Sequence, residues 1–291
     1  MNATFHERMV GDLKLLGYAK RSIGSYARAV SQLQNFCCKE LEDLAEEDLR
    51  AYWLYCKDTL HWGAATLRIS YSGIKLFFQH TLKRDWEILR SVKFERAATL
   101  PVVLSIDEVR TLLTHMPTPQ NQAFFSLVYG CGLRLNEAIH MEVGDIDGQR
   151  RAVHVHGGKG AKDRWIPIPD TVLALLRDYY KTHRNPRWLF PATGNNGKQG
   201  PTAVKPVAET TVQGALRRTL KRQGIKKRVT THTFRHSYAT HLIEAGVPVR
   251  HVQECLGHTS LATVIIYLHI TTHGREDSRN KLNQLMRGVL S

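Results

Sequence analysis

Four short stretches of this 291-residue chain carry side chains suited to chemistry on an anion. His232-Thr-Phe-Arg235 sets an imidazole and a guanidinium on one face of a helical turn. Phe234, Tyr238 and Leu242 form a separate apolar stripe, so His232 and Arg235 are expected to face a cleft. Tyr129-Gly-Cys-Gly-Leu-Arg134-Leu-Asn-Glu137 puts a second arginine at a glycine-flanked helix start, with Glu137 in place to orient it. Leu256-Gly-His258 places a histidine directly after a helix end, and Tyr267 follows inside the aliphatic run Val264-Ile-Ile-Tyr-Leu268, where packing and chemistry both fit a tyrosine. A phosphodiester would use all of these. Attack by an oxygen nucleophile adds charge to the non-bridging oxygens, and two arginines can hold those oxygens bidentately while staying charged. Arg134 and Arg235 are the candidates, with His232 and His258 as further donors or proton acceptors. A tyrosine hydroxyl is protonated and weakly nucleophilic at neutral pH; dense positive charge favours its phenolate, and a neutral His232 can take its proton.

The elements that must position these groups follow from periodicity. Ile23, Tyr26, Ala27, Val30, Leu33 and Phe36 recur at helical spacing and predict one buried face. Amphipathic segments over 46–60 (Leu49, Tyr52, Trp53, Cys56) and 64–82 (Leu67, Ile74, Phe77, Phe78) follow, with Trp53, Trp62 and Trp86 as core. Residues 1–92 therefore read as a helical bundle and 93–104, containing Pro101, as a linker. Ser105-Ile-Asp-Glu108 is a capping box that opens a second domain over 105–291. There, residues 152–156 and 165–169 read as strands joined by a glycine-rich hairpin tip, Gly157-Gly-Lys159-Gly-Ala-Lys162-Asp-Arg164. Helices are expected over 171–180, 211–223 and 232–245, Gly246 and Gly257 sit where helix ends belong, and 191–209 reads as loop. No internal repeat is evident. The fold class is mainly α with a small antiparallel β-sheet (α+β).

Composition narrows the partner. The formal net charge is +15, from 41 Lys and Arg against 26 Asp and Glu, which points to a polyanion such as nucleic acid. The excess is uneven: residues 1–95 carry 14 basic against 12 acidic groups, and residues 96–291 carry 27 against 14. Arg217, Arg218, Lys221, Arg222, Lys226, Lys227 and Arg228 form a run without an acid, expected to track phosphates; Lys20 and Arg21 are expected to contact DNA from the helical domain. No apolar run approaches the roughly 20 residues that span a bilayer, and the N-terminus has no apolar signal core, so a cytoplasmic protein is expected. Cys37, Cys38, Cys56, Cys131 and Cys255 lack metal-ligand spacing and read as free thiols. His154 and His156 share a strand face, but no third ligand has suitable spacing, so no metal is expected there.

Taken together, Arg134 in Gly-Leu-Arg-Leu-Asn-Glu, Lys159 in the hairpin tip, His232-Thr-Phe-Arg235-His-Ser-Tyr-Ala-Thr-His241, Leu256-Gly-His258 and Tyr267 resemble the tyrosine recombinases, and residues 19–36 resemble that family's helical core-binding domain. The resemblance implies a site-specific DNA recombinase acting through a 3′-phosphotyrosyl intermediate. Tyr267 would be the nucleophile and Lys159 the general acid, with double-stranded DNA recombination sites as partner, a homotetramer on paired sites, a monomer when free, association with a prokaryotic nucleoid, and no cofactor. It also implies two domains closing around the duplex, and a C-terminal tail, with Leu282, Leu285, Met286 and Val289 as its apolar stripe, docking on a neighbouring protomer. His232-Thr-Phe-Arg235 in its setting resembles the integron and transposon branch, and the short interval from Phe190 to Thr211 favours an element-associated integrase over an integron one. A type IB topoisomerase-like enzyme and a non-catalytic DNA-binding protein of this fold are the alternatives. His236 and His241 are expected to serve packing or capping.

Overall fold

The computed structural model describes residues 3–94, 101–157, 163–194 and 199–257. The chain divides into two compact units, Met1–Thr99 and Leu100–Ser291.

The first unit is helical: α1 (Ala3–Leu15), α2 (Lys20–Cys37), α3 (Glu46–Leu54), α4 (Ala64–Leu76) and the short α5 (Ile88–Ser91). Its core takes Ile23, Ala27, Val30 and Leu33 from α2, Leu49, Tyr52 and Trp53 from α3, and Leu67 and Ile74 from α4; Trp62 and Trp86 pack partly buried against it. Phe36, expected on the buried face of α2, is 38% exposed and stacks on Tyr55 at 4.8 Å, because the last turn of α2 runs past the core. Gly73 lets α2 and α4 cross closely, since a Cβ there would stand 2.8 Å from the Tyr26 Cα. Helices α3 and α4 each end in one π-turn, Tyr55–Thr59 and Phe77–Thr81. Each turn leads into a left-handed basic residue, His61 or Lys83. Thr59-Leu-His61 and Thr81-Leu-Lys83 thus form a brief local repeat too short to stand out in the sequence.

The second unit contains α6 (Ile106–Thr114), α7 (Pro119–Cys131), α8 (Leu135–Ile139), strands β1 (Ile146–Asp147), β2 (Ala152–Val155) and β3 (Arg164–Pro167), then α9 (Asp170–His183), α10 (Glu209–Arg222), α11 (Thr231–Glu244) and α12 (Val249–Leu256). The capping box forms: Ser105 Oγ accepts from Glu108 N at 3.1 Å, and Glu108 Oε2 accepts from Ser105 N at 2.7 Å. Helix α7 buries Ala123, Phe124, Phe125, Leu127, Val128 and Cys131, so it runs through the core rather than over it. The sheet is antiparallel in the order β1-β2-β3, with Val153 opposite Ile166 and His154 opposite Trp165. Val153, Val155 and Ile166 face the core, which leaves His154 on the outer face. Leu104, inside the expected linker, is a core residue of this unit, and its N–H donates to Ser237 Oγ on α11 at 2.9 Å. Among the described residues, no helix is long and apolar enough to cross a membrane.

Candidate active site

Helix α7 ends at Gly132, whose left-handed backbone (φ +60°) has no room for a side chain, because a Cβ would lie 2.5 Å from the Tyr238 ring. The chain turns there and starts α8 with Arg134 as N-cap. Glu137 reaches back, accepting from Arg134 N at 2.8 Å and from Arg134 Nη1 at 2.7 Å. The orienting contact expected from the three-residue spacing therefore exists.

Glu137 does more than that spacing suggests. It also accepts from Arg164, at 3.1 Å from Nη1 and 2.8 Å from Nη2, and it lies 3.9 Å from Arg235 Nη1. Burial alone would raise its pKa; the hydrogen bonds from Arg164 and the Arg134 backbone, with the surrounding positive charge, override burial and hold it at about 2. Arg164, the last residue of the Gly157–Arg164 stretch, received no role in the sequence reading. Its position at the start of β3 is a weak signal, because its partner lies 27 residues away.

The same three arginines hold the end of α12. Arg164 Nε donates to Cys255 O at 3.0 Å, Arg235 Nη2 to Leu256 O, and Arg134 Nη2 to Gly257 O at 3.3 Å. Arg235 Nη1 also donates to Gly132 O at 2.6 Å. These carbonyls sit at the C-terminal ends of α7 and α12, where backbone acceptors lack helical partners and the helix dipole is negative. Arg235 does not line an open cleft as its spacing from His232 predicts; it is 3% exposed, held between two helix ends. Arg134 is the more open of the two, with 22% of its side chain exposed. Among the described residues, three guanidiniums thus surround one carboxylate beside the end of α12.

His232, on the first turn of α11, has an exposed edge. The protein packed around its ring, then the charges of Arg235 and Arg134, lower its pKa below the ordinary imidazole value, with Glu137 opposing. His236, one turn on, has ring edge toward His232 at 6.0 Å and is pushed down to about 4 by burial and by His232 and Arg235. His241 is a structural bridge, with Nδ1 2.8 Å from Tyr129 Oη and Nε2 2.9 Å from Leu104 O.

Arg134, Glu137, His232 and Arg235 therefore come together. Lys159, His258 and Tyr267 lie outside the described residues, as does the tail beyond Tyr267; His258 follows Gly257 directly in the chain. Arg217, Arg218, Lys221 and Arg222 are exposed on α10, opposite its buried Val212, Ala215, Leu216 and Leu220, and Lys226 and Arg228 are exposed beyond it. Lys227 differs from the others, because its Nζ pairs with Glu108 at 2.6 Å and donates to Val103 O at 3.2 Å. Lys20 and Arg21 are exposed at the N-terminus of α2. His154 and His156, whose neighbours in sequence offer no third group at ligand spacing, have one beside them in space: Asp145, eleven residues before His156, places Oδ1 2.6 Å from His156 Nε2.

The sequence matches the phage integrase family over residues 103–273 and that family's N-terminal SAM-like domain over residues 5–88. A putative integrase/recombinase, y4qK, of Sinorhizobium fredii is 35% identical over 92% of this chain and 84% of its own length. The tyrosine recombinase XerA of Pyrococcus furiosus is 31% identical over 94% of this chain and 92% of its own. The fold resembles that of the Tn1549 transposon integrase in complex with transposon right-end DNA, with a TM-score of 0.72 at 16% identity over 96% of this chain and 99% of that one. Matched by the family model over 103–273 and by relatives along most of its length, this chain is a member of the phage integrase family of tyrosine recombinases.

Proposed function

We propose that Arg134, the more exposed of the pair, and Arg235, which would exchange a helix-end carbonyl for a phosphate oxygen, hold the scissile phosphate while Tyr267 attacks it. As a tyrosine recombinase, the chain is a DNA strand transferase that cuts and rejoins strands at specific sites through a 3′-phosphotyrosyl intermediate, the chemistry general to its family. In the proposed assignment, the Tyr267 oxygen bonds to phosphorus, the bond from phosphorus to the 5′ oxygen breaks, neutral His232 takes the phenolic proton, and Lys159 protonates the leaving 5′ oxygen. His258 donates to a non-bridging oxygen. The phosphotyrosyl bond keeps the energy of the broken phosphodiester, so the 5′ hydroxyl of another strand can reverse the step and join new partners.

The observation that carries this reading is that, among the described residues, three guanidiniums gather on the carboxylate of Glu137 at the end of α12, where His258 follows Gly257 in sequence. Preorganised donors of this kind stabilise charge that develops in the transition state, and losing one typically costs about 3–4 kcal/mol of barrier. Glu137 and Arg164 are positioning residues. Residues 105–291 would be the catalytic domain, which also takes Leu104 of the 93–104 linker into its core, and residues 1–92 the core-binding domain. Arg217, Arg218, Lys221, Arg222, Lys226 and Arg228 would meet DNA phosphates, Lys227 less so because Glu108 holds it. Lys20 and Arg21 sit at the positive end of the α2 dipole, an unfavourable place for cations unless an anion joins them. Paired DNA sites would assemble four copies of the chain. A supercoiled plasmid bearing two recombination sites tests the reading: recombinant products are expected, and relaxation without recombinants would favour a topoisomerase-like enzyme.

A further inference from the structure

On the outer face of the sheet, Asp145, His154 and His156 place one ligand atom each within 4.8 Å of the others. The scaffold beneath them is fixed. Asp145 closes the turn before β1, and its Oδ2 accepts from Glu142 N at 2.8 Å, which leaves Oδ1 toward His156. His154 lies flat on Trp165, its cross-strand partner, at 4.5 Å and 12° between planes. Asp163 completes the group: its Oδ2 is 3.4 Å from His154 Nε2 and 3.6 Å from His156 Nδ1, while its Oδ1 accepts from Gly157 N at 2.8 Å. Two imidazoles alternating with two carboxylates do not suit a phosphate, which the carboxylates would repel.

We infer that Asp145, His154 and His156, with Asp163 beside them, form a binding site for a first-row transition-metal dication of the zinc type. Imidazole nitrogens favour such ions over magnesium or calcium, which take oxygen ligands. Zinc bonds of about 2.0–2.2 Å set tetrahedral donors roughly 3.3 Å apart, so small side-chain rotations from the present spacing would admit an ion. The ion would replace the direct Asp145–His156 hydrogen bond, and two carboxylates would balance its charge. It would tie the turn before β1 to the base of the β2–β3 hairpin, directly before the loop that carries Lys159 in sequence. Asp163 directly precedes Arg164 of the arginine cluster in the chain, but the inference does not depend on the catalytic assignments.

Cobalt(II) titrated into the metal-free full-length chain tests this. We expect one equivalent to give visible d–d bands without thiolate-to-cobalt charge transfer, and zinc to compete for the same site. The double variant His154→Asn/His156→Gln should lose the bands, and zinc should raise the melting temperature of the wild type but not of this variant. Asp163→Asn, a milder change at an exposed residue, should weaken zinc binding by about tenfold. Absence of the bands, their persistence in the double variant, or a charge-transfer signal placing cobalt on a cysteine would each overturn the inference.

Discussion

Replacing Glu137 by glutamine removes, among the described residues, the one carboxylate inside the arginine cluster while keeping its shape. Its oxygens accept four hydrogen bonds from Arg134 and Arg164, and Arg235 stands 3.9 Å away. The side chain is 9% exposed, so solvent does little to screen these contacts. Holding the carboxyl at about 2 against an ordinary value of 4.5 corresponds to about 3 kcal/mol of stability. Breaking a buried ion pair from one side typically costs about 3–5 kcal/mol, in agreement. The sign follows from the depressed pKa: the stabilisation is complete above the unfolded value and is lost as pH falls through the folded one. Urea unfolding of the second unit, followed by hydrogen exchange, should therefore show Glu137→Gln weaker by about 3 kcal/mol at neutral pH. The difference should shrink as pH drops below 4.5 toward 2. A variant within about 1 kcal/mol of wild type at neutral pH, or a gap independent of pH, would refute the view that Glu137 organises the cluster.

Three further outcomes follow from other parts of the structure. Gly132→Ala must adopt a positive φ and push the Tyr238 ring aside, so it should cost more than about 1 kcal/mol by thermal melting. His232 has a lowered pKa, so it stays neutral into mildly acidic solution; single-turnover cleavage should hold its rate at the ordinary imidazole value of 6.5 and fall only below it. In titrations against duplex DNA, removing Arg217 and Arg218 together should flatten the log–log salt dependence by about 1.8, whereas removing the Glu108-paired Lys227 should change it less.

Features set by near neighbours in sequence were legible before the structure. The Ser105–Glu108 box, the helical faces carrying Val30, Leu49 and Ile74, the β2–β3 hairpin and the Arg134–Glu137 contact all depend on residues a few positions apart, where spacing determines geometry. Strand β1 was missed because two residues carry no period. What escaped reading was set by tertiary contact. Arg164 meets Glu137 across 27 residues, Arg134 meets Gly257 across 123, and Arg235 is buried by two helix ends that its own helix does not foretell. Asp145 joins His154 and His156 because the turn before β1 folds back beside β2, a placement that ligand spacing along one strand cannot reveal. Lys227 illustrates the same limit on a surface: a cation in a basic run can belong to an ion pair whose other half lies 119 residues earlier.

The central claim is that Tyr267 makes the covalent bond to DNA. A duplex nicked close to the cleavage position traps the adduct, because the short 5′-hydroxyl fragment diffuses away before it can reverse the step. The wild-type chain should form a 3′-phosphotyrosyl adduct on this substrate, mapped by mass spectrometry to the peptide containing Tyr267. Tyr267→Phe should bind the same DNA with unchanged affinity and form none. An adduct formed by Tyr267→Phe, or mapped to another residue, would contradict the account.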